Sequence, residues 1–206
     1  MRIFIDSIDL EEIARCVETG VVSGLTTNPA LFEAHQPVKK AHLEKICELV
    51  PGPVSFQVVA EGHEAMYNQG RKLFDIADNV VVKLPLTIDG LRVTDRLAHE
   101  DIPVNVTFCF SATQAMLAAE AGAFYISPFW GRLAESGGLG TELIRDIRTI
   151  YDNGGCETEI LAASMRTPEH VLGAAREGAD VATMPPALFW KLFNNPQTDQ
   201  AVEATR

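Results

Sequence analysis

One lysine of the chain stands where its amine could take part in covalent chemistry. The other five have the setting of surface helices: Lys39, Lys40, Lys45, Lys72 and Lys191. Lys83 follows Val80-Val81-Val82 and precedes Leu84-Pro85, which predicts a position on a buried strand. Burial disfavours the ammonium form and lowers a lysine pKa. A partly neutral amine can attack a ketone and form an imine, which serves as an electron sink for carbon–carbon bond cleavage.

Two structural roles for Lys83 stay open at this point. The ammonium group could reach solvent along its apolar stem, or it could form an ion pair with Asp6, which ends the first apolar run. Asp6 is itself a candidate proton carrier for imine chemistry. Its alternative role is the N-cap of the following helix, although Ser7 and Asp9 could serve equally well.

Two arginines and a serine in the second half of the chain form a candidate phosphate site. Arg132, Ser164 and Arg166 supply guanidinium forks and a hydroxyl donor. The whole chain carries 17 Lys+Arg against 28 Asp+Glu, a formal net charge of −11. An anionic substrate would therefore need a local basic pocket, and these arginines together with Lys83 suggest a phosphosugar.

Polar residues collect where the apolar runs end. They are Asp6, Thr26, Asn28, Gln57, Lys83, Asn105, Thr107, Ser127, Ser164 and Arg166. Each one alone could serve a turn or a helix cap. In barrels of parallel strands, however, the carboxyl ends of all strands meet at one mouth, and reacting groups lie there. The set therefore predicts an active site at that end.

Eight short apolar runs alternate with segments of helical periodicity, and their starts lie about 25 residues apart. The runs are Ile3–Asp6, Gly24–Asn28, Val54–Ala60, Val80–Pro85, Pro103–Phe108, Ala123–Pro128, Glu157–Ser164 and Asp180–Pro185. This alternation predicts an α/β fold, a single (β/α)8 TIM barrel formed by residues 1–206 as one domain. The alternative is an open doubly wound sheet, but no GxGxxG fingerprint follows the first run. The glycine cluster 137–140 does not match that fingerprint either.

Two of the helical segments show clear start and stop signals. Ser111–Ala121 has apolar residues at helical spacing, namely Ala112, Ala115, Met116 and Ala119. Ser111 is its expected N-cap, and Gly122 is expected to end it. Thr167 followed by Pro168 predicts the start of a later helix.

The composition excludes several classes of protein. The 206 residues are 47% hydrophobic and 22% charged, as in ordinary globular domains. The negative charge disfavours nucleic acids and anionic membranes as partners. The start of the chain lacks the pattern of a signal peptide and no run of 18 apolar residues occurs, which predicts a cytoplasmic location. The four cysteines are scattered and predict no disulfide: Cys16, Cys47, Cys109 and Cys156.

Metal and serine-hydrolase chemistry find no support in the spacing of residues. The five histidines are dispersed without HxH or HExxH patterns: His35, His42, His63, His99 and His170. No GxSxG motif occurs either. The spacing therefore predicts neither a metal site nor a serine nucleophile.

Taken together, these motifs resemble the small transaldolase family, which includes fructose-6-phosphate aldolases. The resemblance runs through nearly the whole chain and includes Ile3-Phe4-Ile5-Asp6, Gly24-Leu25-Thr26-Thr27-Asn28-Pro29, Val81-Val82-Lys83-Leu84-Pro85, Asn105-Val106-Thr107, Ser127-Pro128-Phe129, Gly131-Arg132 and Leu161-Ala162-Ala163-Ser164. It implies a (β/α)8 barrel. It also implies the transfer of a dihydroxyacetone unit from a ketose phosphate, such as sedoheptulose 7-phosphate or fructose 6-phosphate, to an aldose phosphate. By the same resemblance, the reaction is expected to need no metal and no organic cofactor. Many members form rings of five subunits, often paired into decamers, so a homo-oligomer is expected.

The resemblance also implies a role for each matching residue. Lys83 would form the Schiff base, and Asp6 would take the proton of the C4 hydroxyl as the C3–C4 bond breaks. Thr107 would position a catalytic water, and Gln57 completes the catalytic set. The residues expected to bind the substrate are Thr26, Asn28, Asn105, Ser127, Phe129, Arg132, Ser164 and Arg166. Of these, the two asparagines would hold hydroxyls of the dihydroxyacetone unit, and Ser164 and the arginines would hold the phosphate.

Four features depart from the family pattern. Transaldolases usually carry glutamate where Gln57 stands, and the aldolases usually carry tyrosine where Phe129 stands. The tyrosine hydroxyl helps to release free dihydroxyacetone, so a phenyl ring favours transfer. The chain ends at Arg206, short of the longer C-terminal helix that usually packs against a neighbouring subunit. Trp130 is bulkier than the usual residue and either narrows the mouth or fills space.

Two other functions stay open. One is a fructose-6-phosphate aldolase that releases free dihydroxyacetone, which Gln57 favours. The other belongs to a different class, a non-catalytic phosphosugar-binding or scaffold protein. Such a protein would have little use for the buried amine of Lys83.

Overall fold

Eight parallel strands close into a barrel in the order of the sequence, and the last strand pairs with the first. The computed structural model describes residues 1–33 and 39–205; His35 of the dispersed histidines lies outside them. The strands are β1 Arg2–Asp6, β2 Val22–Thr26, β3 Val54–Gln57, β4 Val80–Pro85, β5 Val104–Cys109, β6 Tyr125–Pro128, β7 Glu159–Ala162 and β8 Val181–Met184. The predicted (β/α)8 barrel is confirmed.

Helices connect the strands, and within the described ranges there are eleven. They are α1 Leu10–Val17, α2 Pro29–Phe32, α3 Lys40–Leu49, α4 His63–Phe74, α5 Ile88–Ala98, α6 Ala112–Glu120, α7 Trp130–Glu135, α8 Gly140–Gly154, α9 Pro168–Arg176, α10 Pro186–Lys191 and α11 Pro196–Ala204. None of the helices in these ranges is long and apolar enough to cross a bilayer.

Several strands end earlier in the structure than the sequence predicted. The bounds of β4 agree with the prediction, whereas β2 ends at Thr26 and not at Asn28. Asn28 is the N-cap of α2, its side chain accepting a hydrogen bond from the Leu31 backbone N–H. The prediction also extended β3 to residue 60 and β7 to residue 164, but these strands end at 57 and 162.

The predicted helix caps are confirmed, but one predicted helix face is wrong. Ser111 caps α6 and Thr167 caps α9, each through its side-chain oxygen. The buried face of α6 carries Ala115 and Ala118, whereas Met116 is 44% exposed. The sequence of α6 has alanines on all sides of the helix and therefore no clear apolar stripe. The elements that pack against α6 determine which side is buried.

The inside of the barrel changes from apolar to polar along its axis. Phe4, Val81, Tyr125, Leu161 and Val181 belong to one buried apolar cluster. Because side chains alternate along a strand, the residue two positions beyond Val81 shares its inward face. That residue is Lys83, and Asp6 follows Phe4 in the same way. The apolar layer thus supports a polar layer at the carboxyl end.

The strand register aligns the predicted site residues with one another. Lys83 on β4 pairs in register with Gln57 on β3 and with Asn105 on β5. Asp6 on β1 pairs with Thr26 on β2. The side chains of these residues therefore leave the barrel wall at similar heights.

Candidate active site

A cavity of about 590 Å³ opens at the carboxyl ends of the strands. Ten of the twelve predicted site residues line it: Asp6, Thr26, Asn28, Gln57, Lys83, Ser127, Phe129, Arg132, Ser164 and Arg166. The other two, Asn105 and Thr107, are buried in the barrel wall and do not line the cavity.

A larger cavity of about 990 Å³ lies at the amino-terminal end of the barrel, beside residues such as Asn79 and Pro103 that precede their strands. None of the twelve predicted residues, all of which the structure describes, lines it. In barrel enzymes the chemistry lies at the carboxyl ends. The smaller cavity is therefore the candidate active site.

Lys83 is buried, with 5% exposure, and reaches the cavity from β4. Its Nζ donates a hydrogen bond to the backbone carbonyl of Thr27 at 2.9 Å. Within the described part of the chain it forms no ion pair. Burial lowers the pKa of Lys83, and the charge of Asp6 opposes this shift. The amine thus neither extends to bulk solvent nor makes a close structural pair with Asp6.

Asp6 presents its carboxylate to the cavity at the end of β1. Its Oδ1 accepts a hydrogen bond from Thr26 Oγ1 at 2.7 Å, and its Oδ2 accepts one from Asn28 Nδ2 at 3.1 Å. Burial raises the pKa of Asp6, while the charge of Lys83 and these hydrogen bonds oppose the shift. Asp9 caps α1, so Asp6 is not needed for that task.

Thr183, at the end of β8, is a cavity residue that the sequence reasoning missed. Its Oγ1 lies 2.8 Å from Thr26 Oγ1, inside the barrel. Thr183 could have been predicted as a site residue from its position near the end of a strand, the same feature that identified the other polar residues. Thr183 was overlooked because a lone threonine among apolar residues is also typical of an ordinary strand.

A second group of polar side chains joins three strands within the barrel wall. Ser127 Oγ donates to Asn105 Oδ1 at 2.7 Å, and Asn105 Nδ2 donates to Ser55 Oγ at 3.1 Å. Ser127 reaches the cavity, so this chain links the cavity surface to a buried amide. Nearby on β5, Thr107 Oγ1 is buried and has no hydrogen-bond partner among the described residues.

The two cavity arginines have different surroundings. The guanidinium carbon of Arg132 lies 5.2 Å from the centre of the Phe129 ring and 5.9 Å from that of Phe108. Such cation–π contacts restrain an otherwise exposed side chain. Arg166 instead faces Glu135, with Nε 3.5 Å from Oε1. Both guanidinium groups remain partly accessible to a ligand.

The loops that carry these arginines come unusually close together. Ser164 has φ of +61°, and its carbonyl oxygen lies where a Cβ on Gly131 would have to stand. Only glycine at position 131 allows the start of α7 to approach the loop after β7 this closely. Arg132 and Arg166 are far apart in the sequence, but the loops that carry them touch at the mouth of the barrel.

Phe108 is a second residue of the mouth with positive φ, at +63°. It lies where the register between β5 and β6 shifts, between Val106 and Cys109. The side chain lines the cavity and packs edge-on against Phe129, with ring centres 5.2 Å apart. Because strained residues of this kind often lie at functional sites, the bulge supports the assignment of this end.

Trp130 does not line the cavity but is buried behind it. Its ring fills the space that Gly140 and Gly173 leave open, and it lies 5.6 Å from the ring of His170. Trp130 therefore fills space between helices and does not narrow the mouth.

The titratable residues of the described ranges include no group of three or more His, Cys, Asp or Glu side chains placed to hold a metal ion. All four cysteines are free thiols, as predicted. Burial raises the pKa of Cys109 to about 12, so this thiol is an ordinary buried group.

Solved structures show the same fold at low sequence identity. A thiamine phosphate pyrophosphorylase from Pyrococcus furiosus has a TM-score of 0.61 and 12% identity, covering 89% of this chain and 85% of that chain. A designed cube-shaped protein cage has a TM-score of 0.62 and 16% identity, covering 89% of this chain and 62% of its own. At these identities the comparison supports the fold alone.

Sequence relatives are far closer. A probable transaldolase of Caulobacter sp. (strain K31) is 56% identical over 204 residues, covering 98% of this chain and 94% of the relative. A probable transaldolase of Ruegeria sp. (strain TM1040) is 50% identical over 204 residues, covering 99% and 94%. The profile of the Transaldolase/Fructose-6-phosphate aldolase family matches residues 3–206. The chain therefore belongs to the transaldolase/fructose-6-phosphate aldolase family.

Proposed function

We propose that the protein is a transaldolase that moves a dihydroxyacetone unit between sugar phosphates through an imine on Lys83. The observation that carries the proposal is a buried amine whose pKa is lowered by burial, in a cavity that also holds Asp6 and two arginines. Membership of the family supports an enzyme of this type.

The first step is the attack of the Lys83 amine on the C2 carbonyl of a ketose phosphate. Loss of water from the adduct gives a protonated imine, which withdraws electrons from the adjacent carbons. Because burial lowers the pKa of Lys83, a larger share of the amine is neutral than for an exposed lysine. The donor must fit the cavity with its carbonyl beside Nζ.

Asp6 is the group we assign to the carbon–carbon bond step. It takes the proton of the C4 hydroxyl, the C3–C4 bond breaks, and its electron pair moves into the imine to give an enamine and a free aldose phosphate. The enamine then attacks the aldehyde carbon of an acceptor aldose phosphate, and Asp6 returns the proton to the new hydroxyl. Water then hydrolyses the imine and restores the amine of Lys83.

The polar residues around Lys83 hold the donor and the water. Asn28 and Gln57 line the same cavity as the amine, which supports their assignment to the binding of sugar hydroxyls. Asn105 is reached through Ser127, whose hydroxyl contacts both the cavity and the amide. The buried Thr107 hydroxyl needs a further partner, which supports its assignment to the catalytic water.

The phosphate is assigned to the side of the cavity formed by Arg132, Ser164 and Arg166. Charge-assisted hydrogen bonds from guanidinium groups suit a phosphate dianion. They also provide the local positive charge that a chain of net charge −11 must supply for an anionic substrate.

Imine formation is tested by reducing the protein with borohydride in the presence of fructose 6-phosphate and mapping the adduct by peptide mass spectrometry. We expect the adduct on Lys83, and none in Lys83→Met. The exposed lysine variant Lys72→Met is the matched control and keeps the adduct. An adduct that forms equally in Lys83→Met contradicts the proposal, as does binding of fructose 6-phosphate without any adduct.

Transfer and release are separated by offering fructose 6-phosphate alone and then with erythrose 4-phosphate. Phe129 has no hydroxyl to help water or a proton reach the enamine, so we expect transfer to the acceptor and slow release of free dihydroxyacetone. Rapid release without acceptor would instead identify an aldolase, which the presence of Gln57 favours. Either result leaves the imine on Lys83 in place.

A further inference from the structure

Three hydroxyl and carboxyl groups form a continuous chain across the first, second and eighth strands. Thr26 Oγ1 donates to Asp6 Oδ1 at 2.7 Å, and Thr183 Oγ1 lies 2.8 Å from the same Thr26 oxygen. Thr26 is 1% and Thr183 4% exposed, so both hydroxyls are almost fully covered by protein. The chain joins the two strands at which the barrel closes.

The number of protons available determines which group donates in each of these hydrogen bonds. An ionised carboxylate accepts hydrogen bonds only, and a threonine hydroxyl has a single proton to donate. When Asp6 is ionised, the proton of Thr26 is committed to Asp6 Oδ1. Thr183 must then be the donor to Thr26, and the remaining acceptor capacity of Thr183 is left for the cavity that it lines.

We propose that Thr183 is a positioning residue of the active site, which orients the Thr26 hydroxyl toward Asp6 by donating a hydrogen bond to it. The importance of this contact for turnover rests on the proposed function, because it concerns the carboxylate assigned to proton transfer. The direction of the hydrogen bonds follows from the contact distances together with an ionised Asp6, and it does not depend on turnover.

Cooperativity gives the contact its effect. A hydroxyl that accepts a hydrogen bond becomes a better donor, so Thr183 strengthens the bond from Thr26 to Asp6. The hydrogen bond from Thr183 also fixes the orientation of the Thr26 hydroxyl, so that its proton and not its lone pairs points toward the carboxylate. Removing the Thr183 hydroxyl therefore destabilises the ionised form of Asp6 and raises its pKa.

The other groups around Asp6 stay constant in this comparison. Lys83 on β4 and Arg166 in the loop after β7 face Asp6 with positive charge. Asn28 donates to its second oxygen, and Arg132 and Glu33 complete the charged lining of the cavity. None of these side chains is altered by a substitution at position 183.

The variants that test the proposal are Thr183→Val, which keeps the shape without the hydroxyl, and Thr183→Ser, which keeps the hydroxyl. Asp6 is titrated directly by ¹³C NMR of aspartate-labelled protein, its resonance being the one missing in Asp6→Asn. We expect the Asp6 midpoint to move to higher pH in Thr183→Val and to stay at the wild-type value in Thr183→Ser. An unmoved midpoint in Thr183→Val overturns the proposal.

The pH profile of kcat/KM is the second measurement. Its acid limb is expected to move to higher pH in Thr183→Val, with a loss of about 3- to 10-fold on the acid side. Thr94→Val is the matched control, because Thr94 is also buried and hydrogen-bonded, but within α5. A Thr183→Val profile that is lowered uniformly, or one shared by Thr94→Val, overturns the proposal.

A double variant tests whether Thr183 acts through Thr26. The Asp6 midpoint in Thr26→Val should equal that in Thr26→Val combined with Thr183→Val, because the link is already broken. If the two substitutions shift the Asp6 midpoint additively, Thr183 does not act through Thr26. The NMR titration tests the role of Thr183 and does not need turnover. Adduct formation on Lys83 tests the proposed function. The failure of one proposal can therefore be distinguished from the failure of the other.

Discussion

Lys83 and Asp6 influence each other through charge across the cavity, without direct contact. The negative charge of Asp6 opposes the burial that lowers the pKa of Lys83. The positive charge of Lys83 likewise opposes the burial that raises the pKa of Asp6. A neutral amine and a proton-accepting carboxylate are both needed for the proposed reaction, so the balance between the two residues sets the working pH range.

Replacing Asp6 by Asn should affect the two steps of the reaction differently. Without the carboxylate charge the pKa of Lys83 falls further, so the pH at which imine forms at half its maximal rate moves lower. That rate is measured with free dihydroxyacetone and cyanoborohydride. Turnover with ketose donor and acceptor should drop by about 10²- to 10⁴-fold, because the proton carrier is lost.

Glu120→Gln, a carboxylate at the opposite end of the barrel, is the control for this experiment and should change neither quantity. If the midpoint of imine formation in Asp6→Asn moves to higher pH, the electrostatic link between the two residues is wrong. If turnover persists, another group carries the proton.

Arg132→Ala and Arg166→Ala should weaken the binding of the phosphate and leave the amine chemistry intact. Each removes a charge-assisted hydrogen bond to the ligand, which corresponds to about a 10- to 100-fold rise in KM for fructose 6-phosphate. Adduct formation with dihydroxyacetone, which has no phosphate, should be unchanged. The exposed Arg176→Ala is the control. An unchanged KM for fructose 6-phosphate would place the phosphate elsewhere, and an equal loss with both compounds would show that the arginines act on the amine chemistry.

At the scale of the elements, periodicity was sufficient to predict the barrel and most of its strands. The strand ends were harder to predict, because Asn28 caps a helix and Ser164, two residues beyond the end of β7, adopts a positive φ. Eight of the residues that line the cavity were predictable from their strand-end positions, and Arg132 was predictable from its charge. Phe129 was expected only from the family resemblance. The chain from Thr183 to Asp6 was not, because it depends on the closure of the barrel, which brings residues from opposite ends of the sequence together.

Gly131→Ala should disturb the joint between α7 and the loop after β7. Its Cβ would overlap the carbonyl oxygen of Ser164 and lie 3.0 Å from the serine Oγ. We expect a stability loss of about 1–3 kcal/mol by chemical denaturation. We also expect a higher KM for fructose 6-phosphate, because Arg132 moves away from Ser164.

The control is Gly154→Ala near the end of α8, whose added Cβ would meet only the flexible side chain of Cys156 at 3.3 Å. Alanine is favoured over glycine in a helix, so this variant should be neutral or slightly more stable. A Gly131→Ala protein with wild-type stability and KM would show that the close approach is not required.

At the scale of the whole molecule, the site draws on strands from all around the barrel. Asp6, Lys83, Ser127 and Thr183 lie on β1, β4, β6 and β8. The loss of any one strand pairing would therefore displace part of the site. A homo-oligomeric ring and a cytoplasmic location stay predictions of the sequence.

Thermal unfolding should consequently abolish the site and the barrel together. Far-ultraviolet circular dichroism and the capacity to form the Lys83 adduct are expected to be lost with the same midpoint, because the residues of the site lie on the strands of the barrel itself. Loss of adduct formation well before the loss of secondary structure would indicate that the mouth opens independently of the barrel.

The pairing of β1 with β8 has a consequence for biosynthesis. A ribosome makes β1 before the other strands and its hydrogen-bonding neighbour β8 after them, so this seam stays open until β8 has been synthesised. Thr183 reaches Asp6 through the Thr26 hydroxyl, and this link is complete only when the seam has closed. Competence for turnover is therefore acquired in one late event, and premature termination products that lack β8 should be catalytically silent however much of the barrel they have formed.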